Sequence, residues 1–478
     1  MPQLTLGTLD GGQKSVSAAT IDAFTSSLRG RFLTPTAPDY DAVRAIWNAM
    51  IDRRPGLIVR AAGAADILAT VRFAREHQLL LAVRGAGHNI AGLGTCEGGL
   101  LLDLSTMRSV HVDPLARRVR VEPGATLGDL DAETQAFALA VPTGINSTTG
   151  IAGLTLGGGF GWLSRKHGMT IDNLLSADVV TADGQMRTAS AEHNPDLFWG
   201  IRGGGGNFGV VTSFEFRAHP VGPQVLSGLI VHPWSDAAGA LRHYRTFADH
   251  APDELTTWVV LRKAPPLPFL PADVHGKEVV IFAFLYAGDI EAGRRALEPL
   301  RSYGSPVGAM VEPHAFCGWQ KAFDPLLTPG LRNYWKSHNF RALDDAFLET
   351  LRRYVERLPS PHSEIFIGQM GGAQARVAAD ATAYPHRDAA YVMNVHTRWE
   401  TAAADESCVA WARGLFDESA RFATGGVYIN FMPADETDRV GSAYGATWDR
   451  LVALKAKYDP TNLFRVNQNI RPQAKSTA

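Results

Sequence analysis

Hydrophobic and polar positions in the first part of the chain alternate between strand patterns and helix patterns. Residues 57–59 form an apolar strand pattern, and residues 65–77 follow with apolar side chains three and four positions apart, which is typical of a helix packed on a sheet. A second apolar run, residues 79–83, predicts another strand. Together these segments predict a strand–helix–strand unit that delivers the loop beginning at Arg84.

The next elements are predicted from capping and turn residues as well as from periodicity. Thr126 and Asp129 have the spacing of a helix capping box, and the pair Asp183-Gly184 lies between two strand patterns, as in a hairpin. Further elements of this half are predicted as helices at residues 21–28, 40–50 and from Pro195, and as strands at residues 100–104, 119–122 and 210–216.

The chain from about residue 221 has strand and helix patterns of ordinary length. Strand patterns lie at residues 225–231, 257–261, 278–286 and 363–368, and helix patterns lie at residues 236–247, 290–302, 344–358 and, near the end, 448–458. We expect an antiparallel sheet covered by helices, so the predicted fold class is α+β. The proline-rich segment 264–268 predicts a loop at a domain edge or at the entrance of a site.

Glycine is concentrated in three segments of the first half, residues 85–99, 150–161 and 203–209. The first could be mistaken for a dinucleotide-binding fingerprint, but no helix pattern opens at these glycines, so a Rossmann unit is not predicted. Glycine lets the backbone come close to a flat or anionic ligand, although a single glycine more often serves a tight turn. Three such clusters favour a large bound cofactor, and His88 places an imidazole in the first of them.

Composition limits the other classes of function. The chain has 478 residues, which is too long for one core and predicts two domains or a domain with a large insertion. Forty-six basic and forty-eight acidic side chains give a net charge of −2, so we do not expect nucleic acid as a partner. No apolar run reaches the ~20 residues needed to cross a bilayer, so we do not expect a membrane protein.

The sequence also gives expectations for the cellular location of the protein and for bound metal. The first fifteen residues lack the basic and apolar segments of a secretory signal. The three cysteines are too few for a disulfide framework, and the histidines show no spacing typical of metal ligands. We expect a cytoplasmic protein without a bound metal.

Four phrases of the sequence together resemble one family. They are RGAGHNIAG, TGINSTTGIAGLTLGGGFGWLSRKHGMTIDNL, PDLFWGIRGGGGNFGVVT and YDPTNLFRVNQNIRP, and they cover residues 84–92, 143–174, 195–212 and 458–472. In this order they resemble the berberine-bridge-enzyme-like FAD-linked oxidases of the vanillyl-alcohol-oxidase superfamily, which include the 6-hydroxynicotine oxidases. The resemblance implies an FAD-binding domain in two parts, residues 1–220 and 439–478, around a substrate domain at residues 221–438.

The resemblance also implies the cofactor and its ligands. His88 would carry FAD covalently on the 8-methyl carbon of the flavin, as the single linkage. Asn467 and Asn469 lie two apart on an extended stretch, so their amides could reach one ligand edge, although turn formation is the alternative explanation. The implied cofactor-binding residues are Arg84, Gly85, Ala86, Gly87, His88, Asn89, Thr148, Thr149, Gly153, Gly157, Gly158, Gly161, Asp172, Asn173, Gly209, Val210, Val211, Asn467 and Asn469.

The candidate catalytic base departs from the family pattern. A Tyr-x-Asn-Tyr motif on a substrate-side strand often supplies the base from its second tyrosine, but this chain has Tyr428-Ile429-Asn430-Phe431. Phe431 has no proton to exchange. Three alternatives stay open: Tyr428 or a residue elsewhere is the base, the substrate is a neutral amine that needs no strong base, or the site is impaired. Tyr428 is the candidate catalytic residue, and a packed strand aromatic is the alternative explanation.

Two further departures concern the flavin. Some members of the family attach FAD a second time through a cysteine in a Gly-x-Cys-x-Thr phrase, where this chain has Asn146, so only the bond to His88 is expected. In relatives, a small apolar residue near the position of Thr149 admits dioxygen to the reduced flavin. A threonine there leaves the choice between oxidase and dehydrogenase open.

The resemblance implies an enzyme. Its expected activity is oxidation of a C–OH or C–N centre of a small or medium organic molecule, with hydride transfer to FAD and with dioxygen as the acceptor that yields hydrogen peroxide. The alternatives are a dehydrogenase with another acceptor and a flavin-holding scaffold with little turnover. The substrate and the oligomeric state stay open at this stage.

Overall fold

The computed structural model describes residues 3–473. Residues 1–2 of the first predicted domain segment and residues 474–478 of the last lie outside the described residues. The strands are β1 Leu4–Gly7, β2 Gln13–Val16, β3 Arg31–Leu33, β4 Leu57–Arg60, β5 Leu81–Arg84, β6 Leu100–Asp103, β7 Val110–Asp113, β8 Arg118–Val121, β9 Leu139–Ala140, β10 Leu174–Val180, β11 Met186–Ser190, β12 Val210–Arg217, β13 His219–Pro220, β14 Gln224–Pro233, β15 Leu255–Lys263, β16 Glu278–Tyr286, β17 Gly308–Ala315, β18 Arg332–Phe340, β19 Glu364–Gln369 and β20 Tyr391–Trp399.

The α-helices connect and cover these strands. They are α1 Ala18–Ser26, α2 Tyr40–Arg44, α3 Ala64–His77, α4 Leu127–Gln135, α5 Ile151–Leu156, α6 Ser164–His167, α7 Pro195–Ile201, α8 Ala237–Ala248, α9 Ile290–Arg301, α10 Phe316–Gln320, α11 Asp345–Val355, α12 Asp405–Ser419, α13 Val440–Tyr444 and α14 Trp448–Tyr458.

The first of the larger sheets contains the predicted strand–helix–strand unit. Its order is β3-β4-β6-β5, and β4 and β5 are both parallel to β6. The prediction of β4, α3 and β5 is confirmed, but β6 lies between the two strands of the unit. A helix about 10 Å wide covers two strand spacings of about 4.8 Å each, so the crossover leaves room for the third strand.

The second sheet is antiparallel and has the order β11-β10-β12-β8-β7. The predicted hairpin around Asp183-Gly184 joins β10 to β11. The predicted capping box is also present at the start of α4, where Thr126 and Asp129 exchange hydrogen bonds. These strands share one hydrophobic core with α4, α7 and α14.

The third sheet is the predicted antiparallel sheet covered by helices. Its seven strands have the order β17-β14-β16-β15-β19-β20-β18, and α8, α9, α11 and α12 pack on one face. Along β15, Val259 and Leu261 face these helices, whereas Trp258, Val260 and Arg262 face a cavity. The α+β fold class is therefore confirmed.

Two strands of this sheet, β18 and β20, were not predicted from the sequence. On β18, Trp335 and Ser337 alternate with Lys336 and His338, so polar residues occur on both faces. A strand of this kind lacks the alternation of apolar and polar positions by which half-buried strands are recognised. Strand β17 and helix α12 were missed as well.

The predicted helix at residues 40–50 is wrong beyond Arg44. Ala45 already has an extended backbone. Asn48 Nδ2 then donates to the carbonyl oxygens of Ile90 at 2.9 Å and Asn333 at 3.0 Å. Tertiary hydrogen bonds therefore outweigh the helical periodicity, and the extended segment carries Trp47 into the wall of the cavity.

The C-terminal segment is fixed by a buried ion pair. Lys455 Nζ lies 2.7 Å from Asp459 Oδ2 and also donates to the carbonyl oxygens of Asn207 and Phe464, both at 2.8 Å. Asp459 in turn accepts hydrogen bonds from the backbone N–H groups of Leu463 and Phe464. These bonds turn the chain after α14 and direct the segment from Phe464 onwards along the cavity. The predicted domain boundaries at residues 220 and 438 stay predictions.

Within residues 3–473, no helix has the length and apolar character of a membrane span. In the same part of the chain, no cluster of three or more His, Cys, Asp or Glu side chains could bind a metal ion. The cysteines Cys96, Cys317 and Cys408 are unpaired.

Candidate active site

A cavity of about 370 Å³ lies between the first half of the chain and the seven-stranded sheet. Its volume is within the usual range for small-molecule sites, about 300–1,000 Å³. One wall contains the loop after β5, the glycine-rich segment around α5 and the start of β12. The opposite wall is the face of the sheet that points away from α8, α9, α11 and α12, and residues 428–431 and 464–468 complete the lining.

Arg84 is the last residue of β5, directly before the loop that carries His88, and its charge is neutralised within the protein. The strand register places Arg84 beside Asp103 on β6, with Nη2 2.9 Å from Oδ2. The guanidinium also donates to the carbonyl oxygen of Val43 at 2.7 Å. Although Arg84 lines the cavity, its guanidinium bonds to Asp103 and to the backbone of residues 43–45.

His88 is held between an aromatic ring and a hydroxyl group. Its imidazole stacks on Trp47 with ring centroids 5.2 Å apart, and Nε2 lies 2.9 Å from Thr148 Oγ1. The Thr148 hydroxyl donates its single proton to Asn146 Oδ1 at 2.7 Å, so the Nε2–H of His88 is the donor in the first bond. This assignment leaves the lone pair of the ring on Nδ1.

Burial sets the charge of this histidine. It lowers the pKa of His88 to about 4, because removal from water disfavours the charged imidazolium. His88 is therefore neutral at physiological pH, which is the form that can act as a nucleophile.

Glycines of the second and third clusters allow close contacts and leave open space. A Cβ on Gly150 would lie 2.9 Å from the backbone nitrogen of Ala86, so the two loops can meet only with glycine there. A Cβ on Gly153 or on Gly206 would meet no protein atom within 4 Å, and both residues line the cavity. The backbone at these glycines can contact a large ligand directly, as the binding of FAD requires.

Most of the predicted cofactor-binding residues lie together. Thr148 contacts His88, and Asn467 has a buried Oδ1 without a hydrogen-bond partner in the described part of the chain. The predicted residues that line the cavity are Arg84, Gly85, Ala86, Gly87, His88, Asn89, Thr149, Gly153, Gly157, Gly209, Val210, Val211 and Asn467.

Besides Thr148, five predicted cofactor-binding residues are not part of the cavity lining: Gly158, Gly161, Asp172, Asn173 and Asn469. Gly161 packs on a backbone carbonyl, since a Cβ there would lie 1.9 Å from Thr143 O. Asp172 is occupied by a bidentate ion pair with Arg387, both distances being 2.8 Å. These two residues support the segments behind the cavity.

The other three predicted residues outside the cavity lining are Asn173, Gly158 and Asn469. Asn173 donates to the carbonyl oxygens of His167 and Met169, which closes a turn. Gly158 has a φ of 126°, a conformation that side chains rarely adopt, so it serves the turn after α5. Asn469 was predicted to reach the same ligand edge as Asn467, but of these two residues only Asn467 lines the cavity.

Tyr428 lines the cavity, but not from a strand as its motif suggested. It precedes the 3₁₀ turn Ile429–Phe431. The phenol oxygen accepts hydrogen bonds from the backbone N–H of Gly159 and from Asn430 Nδ2, both at 3.0 Å. Burial raises the pKa of Tyr428 to about 12, although these two donors favour the phenolate. The hydroxyl is therefore protonated at neutral pH, which disfavours it as a general base.

The sheet contributes a group of side chains that the sequence did not reveal. Arg262, Glu364, His396 and Trp335 come from four strands and all line the cavity. Arg262 Nη1 lies 2.6 Å from Glu364 Oε2, and His396 Nδ1 lies 3.1 Å from Glu364 Oε1. The spacing of these residues along the chain gave no signal, since two of them lie on the strands that were not predicted.

The proline-rich segment 264–268 also reaches the site. Pro265 and Leu267 line the cavity, which agrees with the expected loop at a site entrance. Aromatic side chains cover much of the remaining wall, and they are Trp47, Phe160, Trp258, Phe323, Trp335, Phe366 and Phe431. On the sheet side of the cavity the lining is largely apolar, with the charged side chains confined to one row.

Two family models match the chain. Residues 55–190 match the model described as an FAD binding domain, and residues 427–471 match the model described as berberine and berberine like. The two matched segments contain His88 and Tyr428, respectively.

Relatives are similar over nearly the whole length. An FAD-linked oxidoreductase of Dictyostelium discoideum is 31% identical, with 97% of this chain and 99% of the relative covered. The (R)-6-hydroxynicotine oxidase of Paenarthrobacter nicotinovorans is 30% identical, with 94% and 98% covered. The crystal structure of 6-hydroxy-D-nicotine oxidase from Arthrobacter nicotinovorans has a TM-score of 0.84 at 29% identity and covers 94% of this chain and 99% of that one.

The fold and the site therefore define an FAD-linked oxidoreductase whose FAD-binding domain is of the vanillyl-alcohol-oxidase type. The chain belongs to the berberine-bridge-enzyme-like family, and it is an oxidoreductase enzyme. The resemblance inferred from the four sequence phrases is confirmed, as is FAD as the cofactor.

Proposed function

We propose that this protein is an oxidase that binds FAD covalently through His88 alone and passes electrons from a small organic substrate to dioxygen, with hydrogen peroxide as the product. The observation that carries the proposal is the neutral imidazole of His88 at the wall of a cavity lined by glycines. Bound FAD supplies the two-electron acceptor for the substrate. The residues of the chain hold the flavin, exclude water and accept the substrate proton.

The hydrogen bonds of His88 favour one nitrogen for the covalent bond. Because Thr148 engages Nε2–H, the lone pair on Nδ1 is available to bond the 8-methyl carbon of the flavin. A second linkage through sulfur is not expected. Asn146 replaces the cysteine of doubly linked relatives, and within residues 3–473 no cysteine lines the cavity.

Replacing Thr148 with valine is expected to slow covalent attachment of FAD. Valine has nearly the same shape but cannot accept the Nε2–H bond, so the imidazole loses its fixed tautomer. The fraction of chain carrying FAD, measured by intact mass at intervals after FAD is added to apoprotein, should rise more slowly than in the wild type. Thr188→Val, at an exposed position of β11, is the control and should match the wild type. Attachment of FAD to Thr148→Val at the wild-type rate would contradict the proposed role of Thr148.

The electron acceptor is tested by measuring reduction of the flavin by substrate separately from its reoxidation by dioxygen. Aromatic alcohols, sugars and amines are mixed anaerobically with the holoenzyme, and bleaching of the flavin identifies substrates. Air is then admitted, and peroxide is measured. We expect rapid return of the yellow colour with one peroxide formed for each substrate oxidised.

The second candidate function, a dehydrogenase with another acceptor, is favoured by Thr149, a polar and β-branched residue in the cavity wall. It predicts bleaching followed by slow recovery in air. A flavin-holding scaffold, suggested by Phe431, predicts that no compound bleaches the flavin.

A further inference from the structure

A row of four side chains crosses the cavity face of the seven-stranded sheet. The strand register pairs Arg262 of β15 with Glu364 of β19, Glu364 with His396 of β20, and His396 with Trp335 of β18. Directly paired residues in antiparallel strands have Cβ atoms about 4.5–5.5 Å apart, so each side chain of the row can contact the next. The register therefore assembles a connected polar group from four separate segments of the chain.

Within this row, Glu364 fixes the tautomer of His396. Burial alone would raise the pKa of Glu364, but the guanidinium of Arg262 and the hydrogen bond from His396 lower it to about 2. The ionised carboxylate can only accept hydrogen bonds, so the Nδ1 of His396 carries the proton. Trp335 stacks on the imidazole with centroids 4.4 Å apart and holds the ring in this orientation.

The other ring nitrogen, Nε2 of His396, is an unused acceptor. It is buried and has no hydrogen-bond partner among residues 3–473, while His396 itself lines the cavity. A buried acceptor without a partner costs about 1–3 kcal/mol, so such atoms are uncommon unless a ligand satisfies them. A hydroxyl group of a molecule in the cavity would satisfy Nε2.

The two aromatic residues of the family motif, Tyr428 and Phe431, are disfavoured as the catalytic base. Phe431 has no exchangeable proton, and its ring packs against Trp335 with centroids 5.7 Å apart. Tyr428 keeps its proton at neutral pH, and its oxygen already accepts two hydrogen bonds. The imidazole of His396 is thus the group that the cavity wall presents in their place.

We propose that His396, positioned by Glu364, accepts the hydroxyl proton of the substrate, which is an alcohol with a flat, apolar body. The aromatic rings of Trp335, Phe366 and Phe431 line the cavity beside His396 and match such a body. A neutral amine needs no strong base, so the presence of this dyad favours an alcohol. The inference rests on the proposed function and goes further by naming the base and the substrate class.

The proposed step balances as an alcohol oxidation. The O–H bond of the substrate breaks and its proton moves to Nε2 of His396. The C–H bond on the same carbon breaks with its electron pair, the hydrogen leaves as hydride to the bound FAD, and a C=O bond forms. The imidazolium is stabilised by the adjacent carboxylate of Glu364. Its proton, the hydride and dioxygen together give hydrogen peroxide.

The tautomer is tested by a measurement that does not depend on turnover. Holoenzyme with ¹⁵N-labelled histidine is compared with His396→Asn by long-range ¹H–¹⁵N NMR, so that the signals absent from the variant are assigned to His396. We expect the neutral Nδ1–H form. Glu364→Gln should shift the population towards the Nε2–H form, because a glutamine amide can donate to Nδ1. An Nε2–H form in the wild type would overturn the proposal.

The catalytic role is tested on the reductive half-reaction. The probes are a panel of aromatic alcohols, with benzyl alcohol as the parent, and the amines that correspond to them. We expect alcohols to reduce the wild-type flavin, and His396→Asn to slow this reduction by about 10²–10⁴-fold, the usual contribution of a general base. Glu364→Gln should be slower than the wild type but faster than His396→Asn.

A surface histidine provides a matched control. His362 also pairs with a glutamate, Nε2 lying 3.2 Å from Glu400 Oε1, but it is exposed and outside the cavity. His362→Asn should reduce at the wild-type rate, and the flavin spectrum of each variant shows that the fold is intact. Reduction by amines alone, or an unchanged rate in His396→Asn, overturns the inference but leaves the oxidase proposal standing. A flavin that no probe reduces overturns both.

Discussion

Replacing His88 with alanine is expected to abolish the covalent attachment of FAD. The wild-type chain should exceed its sequence mass by one FAD less two hydrogen atoms, because the new C–N bond replaces a methyl C–H bond and an imidazole N–H bond, with dioxygen taking up the two electrons. Its acid-precipitated pellet should be yellow. The variant should have the mass of the bare chain and give a colourless pellet after denaturation, even if the folded variant still binds FAD. The physical reason is that His88 presents a neutral ring nitrogen at the cavity wall, where no cysteine within the described residues can replace it.

His111 serves as the control for this experiment. It is an exposed histidine on β7, in the same half of the chain. His111→Ala should retain the covalent flavin in full. A flavin that stays attached in His88→Ala, or a wild-type chain with the bare mass after riboflavin-rich expression, would contradict the histidyl linkage.

Replacing Lys455 with methionine is expected to produce the largest loss of stability. Methionine fills a similar volume but leaves Asp459 buried without its cation and removes the hydrogen bonds to Asn207 O and Phe464 O. Removing one partner of a buried ion pair lowers the free energy of unfolding by about 3–5 kcal/mol. Since this pair directs residues 464–468 along the cavity, FAD should also bind more weakly to the folded variant.

Lys457 on the same helix provides the matched control. Its ion pair with Asp196 is exposed at Lys457, and exposed pairs contribute about 0–1 kcal/mol to stability. The midpoint of guanidinium unfolding should therefore fall strongly for Lys455→Met and barely for Lys457→Met. Equal midpoints for the two variants would show that the buried pair does not stabilise the C-terminal segment.

The sequence correctly predicted elements that have one face packed against an apolar core. The helix with Ile67 and Val71 in line and the hairpin at Asp183-Gly184 were predicted correctly because one face of each meets an apolar core. The helix at residues 40–50 failed because the side-chain bonds of Asn48 to distant carbonyl oxygens determine the backbone there. Strand β20 was missed although Met393 and Val395 alternate with Asn394 and His396, which is the pattern of a half-buried strand.

The candidate site also contains residues whose place the sequence predicted and residues whose place it did not. His88 and its glycine loop lie on one short stretch, so the resemblance of that stretch to the family was sufficient to predict where a flavin would bind. Asp172 was predicted as a cofactor ligand, but its ion pair with Arg387 holds it in the structural support behind the cavity. Its distant partner could not be identified from neighbouring residues.

The sequence by itself determined the family, the cofactor and the segment that carries His88, because a glycine-rich loop and its imidazole act through backbone geometry encoded over a few residues. Only the tertiary structure decided which side chains share the substrate wall. Arg262, Glu364 and His396 meet through the register of antiparallel strands, and that register depends on hydrogen bonds between segments far apart in the chain.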